Sequence, residues 1–364
     1  MKRLLSSATM LLAAILTVAA GPRFGTAGPD APMILYDDAL TINGLEQLVK
    51  LRAQRYILMY QNNCDPEAQK TGVINPGNIA NALLKSEGDQ PQGWGVLDFE
   101  TPFDEMILKG PESPERNRAV ATMVAAIERV KRLFPKVRWT YYGIPALSYY
   151  LDGKDWSNAP ASEKEREVRK QIAQYGPVLA ACDWLAPCVY VTVGDPKLGG
   201  RPNPLQRLAT RSWVEARTRM CVEFARNRSE PVPVIPFVSP LYMPGGGARA
   251  FSVIASDILT EDVLQPAMKA GASGITIWTS GGYFVQQATS ESPDTSFVEG
   301  GGRKTLVSHW AQDLNKTTAF IGTAQAAPEL REMIASGIVR CAQSAEKIWS
   351  DLHPAPPTKA VNTP

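Results

Sequence analysis

Seven short apolar runs recur along the chain: PMILYD (32–37), RYILMY (55–60), GWGVLDFE (93–100), RWTYYGIP (138–145), WLAPCVYV (184–191), PVIPFVSP (233–240) and GITIWTS (274–280). Runs of this length predict buried strands, and the 3–4 periodicity between them predicts helices, so the chain reads as βα units around a parallel sheet. One helix is predicted after Ser113, an N-cap residue followed by Pro114 at the first helical position, with Val120, Met123, Val124, Ile127 and Phe134 on one face. A last helix carries Leu330, Ile334, Ile338, Cys341, Ala345 and Ile348 on one stripe and stops before HPAPPTKAVNTP (353–364), a Pro-rich tail expected to be disordered. Gly245–Gly247 and Gly300–Gly302 lack the lysine and spacing of a phosphate loop and read as mobile loops. No dinucleotide fingerprint follows the first run, and polar or aromatic residues recur at the strand C-termini. The expected fold is therefore α/β: a TIM-like (β/α) barrel of seven strands, one domain over residues 21–352.

The first residues, MKRLLSSATMLLAAILTVAAG, join two early cations to an apolar run and a small-residue exit. That is the pattern of a secretory signal over residues 1–20, which implies a secreted or periplasmic protein. An uncleaved anchor is the alternative, but the run is short for a bilayer. Loss of Lys2 and Arg3 with the signal would leave 36 basic against 36 acidic residues. Overall charge then offers nothing to nucleic acid, and any basic groove must be local. Cys64, Cys182, Cys188, Cys221 and Cys341 show no CxxC or metal-ligand spacing, and His309 and His353 are the only histidines. No metal, cofactor or His-based triad is expected, and no membrane association once the signal is gone; the protein is expected to be a monomer.

The chemistry starts at WGVLDFET (94–101), where an apolar strand runs into Asp98 and Glu100. Side chains at i and i+2 of a strand share a face, so the two carboxyls would share one environment about 6.5 Å apart at their Cα atoms. Acids held that close do not both ionise easily. In βα barrels catalytic groups come from the C-terminal ends of several strands. Those ends hold Asp98 and Glu100 on the third, Tyr142 on the fourth, Tyr190 on the fifth and Trp278 on the seventh. Two acids, two phenols and an indole suit a sugar site. On pattern alone, a structural ion pair for the acids and core packing for the aromatics remain open.

Four motifs, in order, resemble the hyaluronidase family (glycoside hydrolase family 56), from about Pro32 to Leu314. The family's G-x-x-V-[IL]-D-[WF]-E is similar to Gly93–Glu100, and W-x-[FY]-Y-G-[FY]-P to Trp139–Pro145, which carries Tyr142. P-S-[IV]-Y corresponds to Pro187–Tyr190, and G-A-x-G-[IV]-x-[IL]-W to Gly271–Trp278. The resemblance implies a glycoside hydrolase that cuts β-1,4 bonds of an N-acetylhexosamine polymer such as hyaluronan or a chondroitin. The implied mechanism is retaining and substrate-assisted, the substrate's own acetamido oxygen acting as nucleophile. Glu100 would be the acid/base; Asp98 would stay ionised and orient the acetamido N–H. Tyr142, Tyr190 and Trp278 would hold the sugar.

The departures concern the substrate's charge. Phe103 stands where the family has an arginine, Asp104 and Glu105 follow at once, Ile144 replaces an aromatic and Cys188 a serine; Leu147 occupies a family cysteine position, so the family's disulfides do not carry over. Arg217 and Arg219, on the helix after the fifth run, are the candidates to hold an anionic sugar; Arg219 is taken as a substrate-binding residue. A glycosidase of neutral N-acetylhexosamine glycans and a non-catalytic exported sugar-binding barrel are the alternatives.

Overall fold

Six of the seven apolar runs form strands: β1 (Met33–Tyr36), β2 (Gln54–Tyr60), β3 (Gly93–Asp98), β4 (Val137–Tyr141), β5 (Phe237–Val238) and β6 (Gly274–Ile277). The computed structural model describes residues 31–36, 45–198, 200–243, 254–278 and 326–354. The signal-like segment, both glycine triplets, His309 and residues 355–364 lie outside them. Every strand pairing is parallel, in the order β4-β3-β2-β1-β6-β5, giving the curled half-barrel sheet of a TIM-like α/β fold.

The expected seventh strand does not form. The 184–191 run makes isolated parallel bridges instead: Tyr142 to Ala186 beyond β4, and Leu185 to Val234 and Cys188 to Phe237 on the β5 side. Its backbone bonds run to both neighbours, with the Gly143 N–H donating to the Ala186 carbonyl at 3.0 Å and the Val189 N–H to that of Phe237 at 2.9 Å. Proline is the physical reason for the interruption. Pro187 lies inside the run and Pro233 at the start of the facing one, and each removes a ladder donor between them.

Helices follow the strands on the outer face: α1 (Leu45–Lys50), α2 (Gln61–Cys64), α3 (Pro66–Thr71), α4 (Pro76–Glu87), α5 (Phe103–Leu108), α6 (Pro114–Leu133), α7 (Ala161–Ala181) and α8 (Pro204–Arg226). After β5 come α9 (Ser256–Ile258), a π turn (Leu259–Leu264) and α10 (Gln265–Lys269), and the last helix is α11 (Ala326–Leu352). None among the described residues is long and apolar enough to cross a membrane. Ser113 caps α6 as predicted, accepting from the Arg116 N–H, with Pro114 in the first turn. Asn203 and Gln206 form a full capping box at the start of α8. Ile338, Cys341, Ala345 and Ile348 of α11 are buried, as the stripe predicts. The tail begins at His353, whose ring stacks on Trp349.

Alternation along β3 shows how the sheet divides its residues. Trp94 and Val96 point to the concave side, where they pack with Leu35, Tyr56, Trp184, Ile235 and Phe237. Leu97 and Phe99 point outward beneath α4 to α7. A second outer cluster joins β1, β5 and β6 to α8, the π turn and α11. Gly95, on the outward face of β3, lies flat under the fully buried Trp139 ring. A Cβ there would sit 2.5 Å from the indole and 2.8 Å from Val137. Gly95→Ala is accordingly expected to destabilise the protein by about 1–3 kcal/mol, the usual cost of overpacking a core. A thermal melt checks it, and an unchanged Tm would mean that Trp139 is free to move aside.

Candidate active site

Because all strands are parallel, their C-terminal ends meet at one rim, where a cleft of about 440 Å³ opens. Its floor and walls include Asp98, Glu100, Tyr142, Tyr190 and Trp278, so the five strand-end residues singled out in the sequence converge. Register accounts for the meeting. Tyr60 at the end of β2 pairs with Asp98, and the Tyr142 N–H donates to the Leu97 carbonyl at 3.0 Å. Asp98 continues the inward series Trp94–Val96, and Glu100, two residues on, opens into the cleft.

The aromatic side is a continuous stack. Tyr142 meets Phe237 edge-on at 5.0 Å and Tyr190 at 6.2 Å, and Tyr190 lies nearly parallel to Trp278 at 5.5 Å. The Trp278 indole N–H donates to the Tyr60 hydroxyl at 2.9 Å, and Tyr142 donates to Cys188 Sγ at 3.3 Å. Burial holds the Tyr142 and Tyr190 phenols well above their ordinary pKa, Cys188 adding to it at Tyr142 and Tyr142 at Tyr190, so both stay protonated donors. The Tyr190 hydroxyl and Asp98 Oδ1 are buried with no partner in hydrogen-bonding geometry. Leaving such groups unpaired costs on the order of 1–3 kcal/mol each, which a ligand meeting them would recover.

The acids are reluctant ions. Asp98 is raised well above the carboxylate range, first by burial, then by Glu100 and Asp104; Glu100 is raised by burial. Glu100 keeps over a third of its surface open while Asp98 lies deeper, so Asp98 is the costlier charge. Burial thus works against the permanently ionised Asp98 that the resemblance implies. Among the described residues no group of three or more His, Cys, Asp or Glu side chains converges as a metal centre would. All five cysteines are free thiols.

The two arginines part company. Arg219 is not in the cleft: it pairs with Glu215 one turn back on the exposed side of α8, with 55% of its side chain in solvent. Arg217 turns inward on the stripe of Trp213, Val214, Thr218 and Cys221, only 7% exposed. Its Nη2 donates to the Gly143 carbonyl, its guanidinium lies over Trp213 at 5.4 Å, and its Nε is buried without a partner. The 210-213-214-217-218-221 spacing on α8 was the available signal that Arg217, rather than Arg219, faces the core.

Sequence reading also passed over the β2 side of the cleft. Tyr60, Gln61, Asn62 and Gln69 line it, and Gln61 Nε2 donates to the Thr101 carbonyl at 3.0 Å, tying the end of β2 to the end of β3. The buried Asp65 anchors this wall, accepting from the Asn75 N–H at 2.6 Å and Asn78 Nδ2 at 2.8 Å.

Asp104 was noted in the sequence only as an extra acid. It sits in the first turn of α5, its N–H donating to the Glu100 carbonyl at 3.0 Å. Burial and then Glu100 push its carboxyl up to about 7, against the opposing pull of Arg217. Raised above its unfolded value of about 3.9, this acid holds a proton in the folded state that the unfolded chain has lost. Its contribution therefore makes stability fall as pH rises from about 4 to about 7. Asp104→Asn should stabilise the protein by about 1–3 kcal/mol at pH 8 and very little near pH 4. Melts at the two pH values check this; an equal shift at both would show that the effect is not ionisation.

No protein-family model and no curated protein sequence matches the chain. Among solved structures, bee venom hyaluronidase in complex with a hyaluronic acid tetramer superposes with a TM-score of 0.53 at 15% identity, over 87% of this chain and 99% of that one. A monoclinic crystal form of bee venom hyaluronidase gives 0.48 at 15% identity, over 82% and 99%. The likeness is one of fold. It extends over nearly the whole of the bee enzyme, so the sheet and its rim are shared as an architecture.

Proposed function

We propose that the protein is a glycoside hydrolase that cuts β-1,4 bonds at N-acetylhexosamine units of a polysaccharide, with retention and with the substrate's acetamido oxygen as nucleophile. The observation that carries this reading is the convergence of Asp98, Glu100, Tyr142, Tyr190 and Trp278 in one cleft at the C-terminal rim of a parallel sheet. The four motifs resembling hyaluronidases and the shared fold of the bee enzyme, which was solved with a hyaluronic acid tetramer, support it. Deep burial of one acid beside a more open one is also what acid/base chemistry at mild pH requires.

On this reading the two carboxyls enter the reaction sharing one proton. The acetamido oxygen attacks the anomeric carbon as the glycosidic bond breaks, and the proton passes from Glu100 to the leaving oxygen. The positive charge that develops on the acetamido group then meets Asp98, where it offsets the desolvation that disfavours the ion. Asp98 Oδ1 gains the acetamido N–H as its missing partner, and Tyr190 donates to the acetamido oxygen. Glu100 next takes a proton from water as the water attacks the ring-closed intermediate, which restores the acetamido group and returns the shared proton. Two neighbouring carboxyls need not imply a glycosyl ester, since substrate-assisted enzymes are known exceptions to that scheme.

Reducing-end release on a panel of N-acetylated glycans tests the proposal; no release from any of them would retire it. The segment 1–20 supports export, and N-terminal sequencing of the secreted protein would reveal the cut expected near Ala20.

A further inference from the structure

We infer that the polymer is uncharged where it flanks the scissile bond, a neutral N-acetylhexosamine glycan rather than a uronate-bearing one, and that Gln61, Asn62 and Gln69 hold it on the β2 side. This rests on the hydrolase reading above and adds the substrate's charge class.

Among the described cleft-lining residues the carboxyls are Asp98 and Glu100, and none of the residues is a lysine or an arginine. Asp104 sits directly behind them, electrostatically coupled to both. The cation near this group among the described residues, Arg217, is buried under the rim, its Nη2 on the Gly143 carbonyl and its charge set against Asp104. Arg219 is spent on Glu215 in solvent. A site that already resists ionisation of its own carboxyls resists another one. At about 6 Å and an effective dielectric of about 20–40, one added negative charge weakens binding by roughly 10–100-fold.

The β2 wall offers the opposite chemistry. Gln61 is buried, and with its Nε2 committed to Thr101 its Oε1 is left to accept from a sugar hydroxyl. Asn62 and Gln69 are exposed in the cleft, and their side chains engage no described residue. Amides donate and accept without net charge, which matches hydroxyls and acetamido groups. The Asp65 bonds that fix the start of α4 hold this wall in place beforehand.

The test compares hyaluronan, the same polymer with its glucuronates reduced to glucose, and chitohexaose, using the full chain. The neutral polymers should show kcat/KM about 10–100-fold above native hyaluronan at about 0.05 M salt, the gap narrowing at about 0.5 M as the repulsion is screened. Native hyaluronan turned over as well as its reduced form, or losing rate as salt rises, overturns the inference and leaves the hydrolase reading standing. If the wild type cuts none of the three, calorimetry with the wild-type chain decides. Tighter binding of the neutral forms retires the hydrolase reading alone, whereas equal, reversed or absent binding overturns the charge assignment too. Asn62→Ala with Gln69→Ala should raise KM for chitohexaose about 10-fold with kcat kept, the mark of lost uniform binding. An unchanged KM removes the wall from the site.

Discussion

Glu100→Gln is expected to cut hydrolysis by about 10²–10⁴-fold, the usual worth of a general acid, while glycan binding stays within a few-fold. The amide keeps the shape of the side chain and loses only the proton. Nothing in the fold depends on the Glu100 carboxylate: it faces the open side of the cleft and forms no ion pair among the described residues. The melting temperature should therefore hold or rise, because a carboxyl raised by burial costs stability above its unfolded pKa. Asp98→Asn should be nearly as damaging to turnover, since no charge remains to balance the developing cation. Its readout is initial rate beside an oligosaccharide binding isotherm. Wild-type rates in Glu100→Gln would remove this pair from the chemistry.

The second large effect belongs to the substrate. A glycan stripped of its N-acetyl groups should bind the cleft yet not be cut, because the nucleophile leaves with the acetyl group. A thiazoline mimic of the ring-closed intermediate should bind at least about 10²-fold more tightly than the uncleaved sugar, as transition-state-like ligands do. The buried, unpartnered Asp98 Oδ1 and Tyr190 hydroxyl are the groups expected to meet the acetamido N–H and oxygen. Inhibition constants and product analysis on matched acetylated and deacetylated oligomers check both halves. A glycosyl ester trapped on Asp98 or Glu100 and seen by mass spectrometry would replace this mechanism with direct nucleophilic attack, the fold and the cleft being unaffected.

The electrostatics of the rim join these expectations. Three carboxyls, Asp98, Glu100 and Asp104, are raised together, and one buried guanidinium, Arg217, opposes the rise at Asp104. Such a cluster favours the protonated carboxyls and, on the inference above, disfavours a further anion. Proton retention and the proposed preference for a neutral glycan would thus be two consequences of one arrangement.

The sequence by itself determined the elements and the pair at the centre of the site. Apolar runs bounded by turn residues became parallel strands because runs buried on both faces have no polar side to expose. Period-two alternation put Asp98 on the same face as Trp94 and Val96, and Glu100, two residues on and just past the end of β3, opens into the same cleft. Ser113 with Pro114 predicted the start of α6 because capping is a local matter, settled within one turn. Only the tertiary structure decided the rest. Whether the 184–191 run completes a ladder depends on prolines in two runs that meet across about 50 residues of chain, a pairing that no local pattern contains. The apolar spacing of α8 carried the signal that Arg217 rather than Arg219 turns inward, but that its guanidinium reaches the Gly143 carbonyl and the Trp213 ring follows only from the packed fold. The protonation of Asp98, Glu100 and Asp104 depends on how much water the surrounding strands and helices exclude. Desolvation is a property of the packed rim, and it does not exist until the chain has closed around it.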